Sequence, residues 1–334
     1  MIPQTELHIC DWRSELRHAV SDGETLLARL QLNPEQLGYS ALAARDFPVL
    51  VPRPYLQRIT PGDPDDPLLR QVLATGQETL VEPGYSDDPV GETGATIQRP
   101  GVIQKYRGRV LLILAGGCAI NCRYCFRRHF PYQENRNSRQ EWLQALEHVA
   151  ADTSITEVIL SGGDPLLVAD AALAELVATI AAIPHVRRLR VHTRLPVVIP
   201  QRVTDGLLQA LTGSRLRCVM VIHSNHAREL DASVAQAMQR LREADVELLN
   251  QSVLLAGVNN HAATLVNLSE RLFEIGVRPY YLHLLDKVRG AAHFDVPQAE
   301  GIALIDAMAT ELPGYLVPRL VHEEAGQPGK TRIA

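Results

Sequence analysis

From about Arg107 onward, short β-branched runs alternate with stretches whose apolar residues recur at helical spacing. The runs predict strands at 110–114, 157–160, 188–192, 218–222, 247–252 and 279–284, and the spacing between them predicts helices near 138–151, 169–182, 201–212, 229–243, 261–275 and 297–311. A last apolar run, 316–321, predicts an edge strand. Alternation of this kind implies parallel strands joined by right-handed crossovers. Six units predict an α/β fold, a partial (βα)6 TIM-like barrel, with a doubly wound sheet as the competing architecture. Upstream, helical spacing covers 12–32 and 67–76, and the Gly-, Pro- and Asp-rich stretch 82–99 reads as a linker or wrapping loop. The expected organisation is an N-terminal, mostly helical wrapping region over 1–100 and a barrel over 101–334.

The residues just past the predicted strands are Cys118 and its loop, Ser161-Gly162-Gly163-Asp164, Thr193-Arg194, His223, Gln251 and Asp286. Parallel α/β barrels place their active sites at this end of the strands.

Composition narrows the class. With 46% hydrophobic residues in 334, the chain can bury a substantial core, and a net charge of −5 is too balanced for a general nucleic-acid binder. No apolar run reaches the ~18 residues of a spanning helix, and the N-terminus lacks the apolar core of a signal peptide, so a cytoplasmic protein is expected. Residues 1–100 carry 8 basic and 15 acidic side chains, read here as a solvated acidic surface.

Three of five cysteines fall within eight residues, as Cys118-x3-Cys122-x2-Cys125. Soft thiolates in this spacing suit an iron–sulfur cluster, or zinc with His129 as fourth ligand. Cys10 and Cys218 read as packing or incidental thiols. Lys105, Arg107, Arg109, Arg123, Arg127, Arg128, Arg136 and Arg139 surround this loop with a single acid, Glu134, so anionic ligands are expected there. Nucleic acid is the rival reading, weakened by sparse aromatic residues. The 161–164 segment is either a cofactor loop or a glycine turn capped by Asp164. Only three lysines occur, at 105, 287 and 330. Lys330 alone would read as a tail residue, and a Walker phosphate loop is excluded by the missing glycines and helix.

The cysteine loop with Arg127-Arg128, SGGDPL (161–166), HTRLPVVIPQR (192–202), YYLHLLD (280–286) and GKT (329–331) together resemble the lysine 2,3-aminomutase family of radical S-adenosylmethionine enzymes, over roughly residues 45–334. The resemblance implies a 4Fe–4S cluster on Cys118, Cys122 and Cys125, with one iron open to S-adenosylmethionine. It implies contacts to that cofactor from Ser161, Gly162, Gly163 and Asp164, and from His223 and Gln251 near the nucleoside. Lys330 takes the place of the lysine joined to pyridoxal phosphate, a bond that needs a primary amine, and Lys105 and Arg109 are candidates for the phosphate. Arg127 matches an arginine that pairs with the substrate α-carboxylate. Asp286 and Glu323 match acids that grip a distal ammonium; relatives usually carry Asp at the second position, and Glu324 could substitute. Two such acids favour lysine over glutamate.

The implied activity is an isomerase converting (S)-α-lysine to (R)-β-lysine, drawing electrons from a flavodoxin- or ferredoxin-type donor. Because the chain stops four residues after Lys330, it resembles the short subgroup whose product a ligase attaches to elongation factor P. A free β-amino-acid enzyme acting on lysine or glutamate, and a zinc-bearing interaction protein, are the alternatives. Neither nucleic acid nor membrane is an expected partner, and self-association is left open.

Overall fold

The structure, a computed structural model, describes residues 11–93, 97–99, 101–132, 139–324, 326–327 and 329–334. Cys10, Glu134, Arg136 and the side chain of Arg139 lie outside the described part of the structure.

Ten strands form one sheet in chain order: β1 (Ile97–Arg99), β2 (Val102–Ile103), β3 (Arg109–Ala115), β4 (Glu157–Gly162), β5 (Arg188–Thr193), β6 (Arg217–His223), β7 (Glu247–Val253), β8 (Arg278–His283), β9 (Arg319–His322) and β10 (Thr331–Arg332). Every neighbouring pair from β3 to β9 is parallel. Sequential order without a reversal is the winding of a partial barrel, not of a doubly wound sheet. All six residues of β4 are buried, as in a strand covered on both faces.

The run expected to end as an edge strand does not. β9 pairs parallel with β8 and is covered by β10, which folds back antiparallel with Thr331 opposite His322. This fold-back carries the chain terminus onto the barrel and with it Lys330. At the other edge β1 and β2 pair antiparallel onto β3, with Val102 opposite Leu112.

The crossover helices are α6 (Arg139–Ala151), α7 (Asp170–Ala181), α8 (Leu195–Val198), α9 (Asp205–Thr212), α10 (Ala232–Glu243), α11 (Ala262–Glu274) and α12 (Gln298–Glu311). Capping shortens two of them relative to the periodicity. Thr204 accepts from the Leu207 N–H, so α9 starts at 205 rather than 201, and Asp231 accepts from Val234, so α10 starts at 232 rather than 229. The N-terminal region folds as short helices, Trp12–Arg17, Gly23–Arg29, Ala41–Asp46, Arg53–Leu56 and Pro67–Arg70. The helical spacing over 12–32 is thus cut in two, where Asp22 caps the second piece and Val20 bridges to Val51. One continuous hydrophobic cluster runs from Trp12 to Val277, so this region and the barrel share a core. Among the described residues no helix is long and apolar enough to cross a membrane.

Most described acidic side chains of the N-terminal region are exposed, as a solvated surface requires, but a few are drawn inside. Asp66 and Glu78 are buried, as is Glu92 in the wrapping loop. Glu78 accepts from Arg123 Nη2 at 2.5 Å and Arg128 Nη2 at 2.9 Å, with all three side chains at most 1% exposed. Asp66 pairs with Arg228 at 2.6 Å. Part of the charge asymmetry is therefore an internal complementarity: Glu78 pairs with Arg123 and Arg128, and Glu92 with Arg127, of the basic loop. Removing one member of a buried set leaves uncompensated charge, which costs about 3–5 kcal/mol. Glu78→Ala is accordingly expected to lower the unfolding free energy by that order; a loss below about 1 kcal/mol in urea titration would contradict the role given to Glu78.

Candidate active site

A cavity of about 300 Å³ opens at the carboxyl ends of the strands. All fifteen site residues read from the sequence line it, from Cys118 to Lys330.

Cys118, Cys122 and Cys125 lie in the loop after β3, unbridged by disulfides and half-buried. A turn in which the Cys125 N–H donates to the Cys122 carbonyl (3.0 Å) sets the last two side by side. Burial and neighbouring thiols push Cys118 well up, and burial and Cys122 push Cys125 up to about 11. The zinc arrangement is not built: His129 meets the Arg289 carbonyl at 3.2 Å and Asp87 at 3.8 Å. Among the described residues no three His, Cys, Asp or Glu side chains are grouped to hold a single ion. Three thiols lining one wall fit the larger footprint of an iron–sulfur cluster.

The 161–164 turn explains its glycines by backbone approach. Gly162 has φ +128°, and a Cβ there would lie 2.5 Å from the Ala115 carbonyl oxygen; at Gly163 it would lie 2.1 Å from that of Gly117. The turn is thus clamped against the cysteine loop, with Gly163 N–H donating to Ala115 (2.7 Å) and Asp164 N–H to Gly117 (2.8 Å). Asp164, expected at a cofactor amino group, has its carboxylate filled by other partners. It accepts from Leu166, Thr193, Arg194 and Leu195 at 2.7–3.0 Å and caps the turn at 165–167. Ser161 and the turn line the cavity together with Asp164.

Arg127, expected at the substrate carboxylate, is engaged within the chain. Its Nε and Nη2 donate to the two oxygens of Glu92 at 2.6 and 2.9 Å, and Nη1 donates to Ser161 Oγ and the Gly162 carbonyl at 3.0 and 3.2 Å. Four of five N–H groups are engaged, so the fork expected for a substrate carboxylate already holds one. Burial raises Glu92, but the Arg127 guanidinium outweighs it and holds the carboxyl below its ordinary range.

Lys105, expected at a phosphate, instead bridges two acids, 3.3 Å from both Glu92 and Glu323. Arg109 stacks on Tyr106 at 4.4 Å and makes no ion pair within 4 Å among the described residues, so it is the better placed of the two for an anionic ligand.

Near the terminus, Lys330 Nζ lies 2.8 Å from Glu323 and 5.8 Å from the Tyr281 ring centre. Tyr106 also donates to Glu323, at 2.5 Å. Burial alone would raise Glu323, but Lys330 and Lys105 outweigh it and hold it at about 2. Glu323 is therefore paired with the chain's own cations. Asp286 is the open one: its carboxylate makes no ion pair among the described residues, and burial pushes it up to about 7. Glu324 lies aside, 3.6 Å from His322.

His223 and Gln251 are opposite neighbours on β6 and β7. His223 bonds to Tyr124 Oη at 2.8 Å and is held neutral chiefly by burial. Sequence reasoning missed Glu92, Tyr106, His192 and His283, all on the cavity wall. Half-buried His192 and buried His283 have buried Nε2 atoms without a hydrogen-bond partner. The excess of acid in the first hundred residues beside an arginine-rich loop was the available pointer to Glu92.

Residues 112–268 match the family model of the radical SAM superfamily. The chain is 48% identical to the L-lysine 2,3-aminomutase of Escherichia coli (strain K12), over 97% of this chain and 94% of that one. It is likewise 48% identical to the enzyme of that name from Haemophilus influenzae, over 97% and 96%. With the L-lysine 2,3-aminomutase of Clostridium subterminale the identity is 35%, over 97% of this chain and 77% of the longer relative.

Proposed function

Since this chain belongs to the L-lysine 2,3-aminomutase family within the radical SAM superfamily, we propose that it moves the α-amino group of L-lysine to the neighbouring carbon, with pyridoxal phosphate carried on Lys330. The observation that carries this reading is the convergence of three thiols, the amine of Lys330 and the half-buried, unpaired carboxyl of Asp286 on one cavity.

When bound, the cluster and S-adenosylmethionine supply hydrogen-atom abstraction, and pyridoxal phosphate supplies a π-system that delocalises the unpaired electron. The chain's own residues do the rest. Cys118, Cys122 and Cys125 hold the cluster on one wall; Ser161 and the 162–163 backbone, with His223 and Gln251, line the path of the sulfonium cofactor. Lys330 provides the amine that anchors the pyridoxal aldehyde, and Glu323 orients that amine. Arg109 meets the phosphate. Asp286 receives the distal ammonium of lysine, a cation that glutamate lacks. Neutral His192 and His283 line the wall without adding charge, and the enclosure keeps water from the reacting carbons.

The α-carboxylate is assigned to Arg127, where it competes with Glu92 for the same N–H groups. Glu92→Gln is expected to weaken the competitor and lower the KM for lysine roughly tenfold, ~1.4 kcal/mol. A raised KM would mean that Glu92 serves to aim Arg127.

The test is anaerobic incubation with lysine, S-adenosylmethionine, pyridoxal phosphate and a strong reductant, followed by chromatography for β-lysine. Glutamate and other amino acids serve as comparators; turnover of glutamate with none of lysine would reject the reading. We extend the proposal to elongation factor P as the product's destination, on the likeness of the cysteine loop to the short subgroup. Supplying the factor and its ligase with the enzyme's product, and weighing the factor by mass spectrometry, checks that step.

A further inference from the structure

Arg194, the first residue past β5, belongs to none of the roles above, and its surroundings are unusually specific. Its backbone N–H is fixed by Asp164 at 2.8 Å. Its side chain is 7% exposed and runs behind the cysteine loop. There Nη1 meets Cys122 Sγ as a donor and donates to Tyr124 Oη at 2.6 Å. Nη2 donates to Gln71 Oε1 and to Glu229 Oε2, both at 2.8 Å.

Each partner is itself held. Glu229, fully buried, accepts the N–H groups of Asn225 (2.8 Å) and His226 (3.0 Å). Tyr124 accepts from Asn225 Nδ2 at 2.7 Å. Gln71 comes from the N-terminal region, one residue after its last short helix. The guanidinium therefore has a single pose, set by three separate parts of the chain.

The three cysteines are not treated alike. Cys125 receives a neutral backbone N–H from Arg127. Among the described side chains, the charged donor aimed at a thiol is Arg194, and it meets Cys122. We propose that Arg194 is a positioning residue that sets the reduction potential of the cluster through a charged N–H···S bond to Cys122, with Glu229 setting how much of that charge the cluster feels. This inference rests on the assignment of the three cysteines to an iron–sulfur cluster.

The physical reason is the sign of the charge change. Reduction adds one negative charge to the cluster and its thiolates. A fixed cation bonded to one thiolate stabilises the reduced form more than the oxidised form, and burial keeps water from screening it. Arg194 thus raises the potential at which the cluster accepts its electron, and the buried acid beside it lowers the potential part of the way back. Gln71 makes the N-terminal region part of this arrangement and more than a cover for the barrel.

The experiment is an anaerobic redox titration of the reconstituted full chain, followed by electron paramagnetic resonance without S-adenosylmethionine, with iron and sulfide content determined on each sample. Arg194→Gln is expected to cut the reduced-to-oxidised ratio at the wild-type midpoint by about tenfold, about 59 mV for a one-electron couple. Arg194→Lys keeps the charge and is expected to retain most of the wild-type ratio. Glu229→Gln keeps Arg194 in place, removes the opposing charge and is expected to move the midpoint the other way. A ratio for Arg194→Gln indistinguishable from wild type at equal iron content would overturn the proposal, as would a Lys variant that falls as far as the Gln variant. Should Arg194→Gln not take up iron, Glu229→Gln decides: an upward shift supports the proposal and an unchanged midpoint overturns it. Wild-type protein that binds no iron and sulfide would instead sink the cluster assignment itself.

Discussion

Lys330→Ala is expected to end covalent capture of pyridoxal phosphate and to reduce β-lysine formation on the order of 10³-fold or more, ~4 kcal/mol of lost transition-state stabilisation. Iron and sulfide content should stay at the wild-type level, because Lys330 touches Glu323 and the Tyr281 ring rather than a cysteine. The measurement is borohydride reduction of the loaded protein followed by peptide mapping. In the wild type the pyridoxyl label should fall on the last peptide. A label persisting in the variant would move the role to another amine. Lys105 is the nearer candidate, since it shares Glu323 with Lys330, whereas Lys287 is exposed and faces Tyr85 at 5.9 Å. The Glu323 carboxylate, held at about 2 by Lys330 and Lys105, stays ionised beside the amine.

The second large effect is expected at Asp286. Asp286→Asn should lower kcat/KM for lysine roughly 10²-fold, the cost of leaving a buried ammonium without its partner charge. Formation of 5′-deoxyadenosine should fall far less. Norleucine, which has the same chain length without the ammonium, should be used about as poorly by both proteins, so the wild-type preference for lysine over norleucine should collapse. An equal loss of both activities would mean that Asp286 is misplaced. The pH dependence gives an independent reading. With burial holding Asp286 at about 7, it is largely protonated below that pH and cannot pair with a cation, so kcat/KM for lysine should rise through pH 7 in the wild type and flatten in the variant. Stability should show the opposite slope. The folded state holds this proton more tightly than the unfolded chain, whose carboxyl titrates near 3.8. That stabilisation is complete below the unfolded value and is lost as the pH rises through about 7. Asparagine removes the term, so the variant should be the more stable protein at pH 8 and should gain nothing at pH 4.

Much of the barrel was legible in the chain. Six of the predicted strands lie within a residue or two of β3 to β8, because β4 is an unbroken buried run and β5 and β7 alternate buried with half-buried positions, both patterns of a strand. Helix interiors were legible from their 3.6-residue apolar spacing, and their starts less so. Thr204 and Asp231 begin helices by a side-chain bond that periodicity does not register. The final strand was misread as an edge because its cover, Thr331-Arg332, is two residues long and has no pattern of its own.

What the sequence by itself determined here is local chemistry: which residues are thiols, which amine can form an imine, and which strand ends carry them to one side of a parallel sheet. Chain order and period suffice for that, since each strand end follows from its own segment. What only the tertiary structure decided is which charges are free. Arg127 and Lys105 looked available and are taken by Glu92, Glu323 is taken by Lys330, and Asp164 is filled by backbone N–H groups, while Asp286 stands open. Pairing is settled by distance and burial between segments up to about two hundred residues apart, as with Lys105 and Glu323, and a buried charge must find a partner wherever in the chain that partner lies.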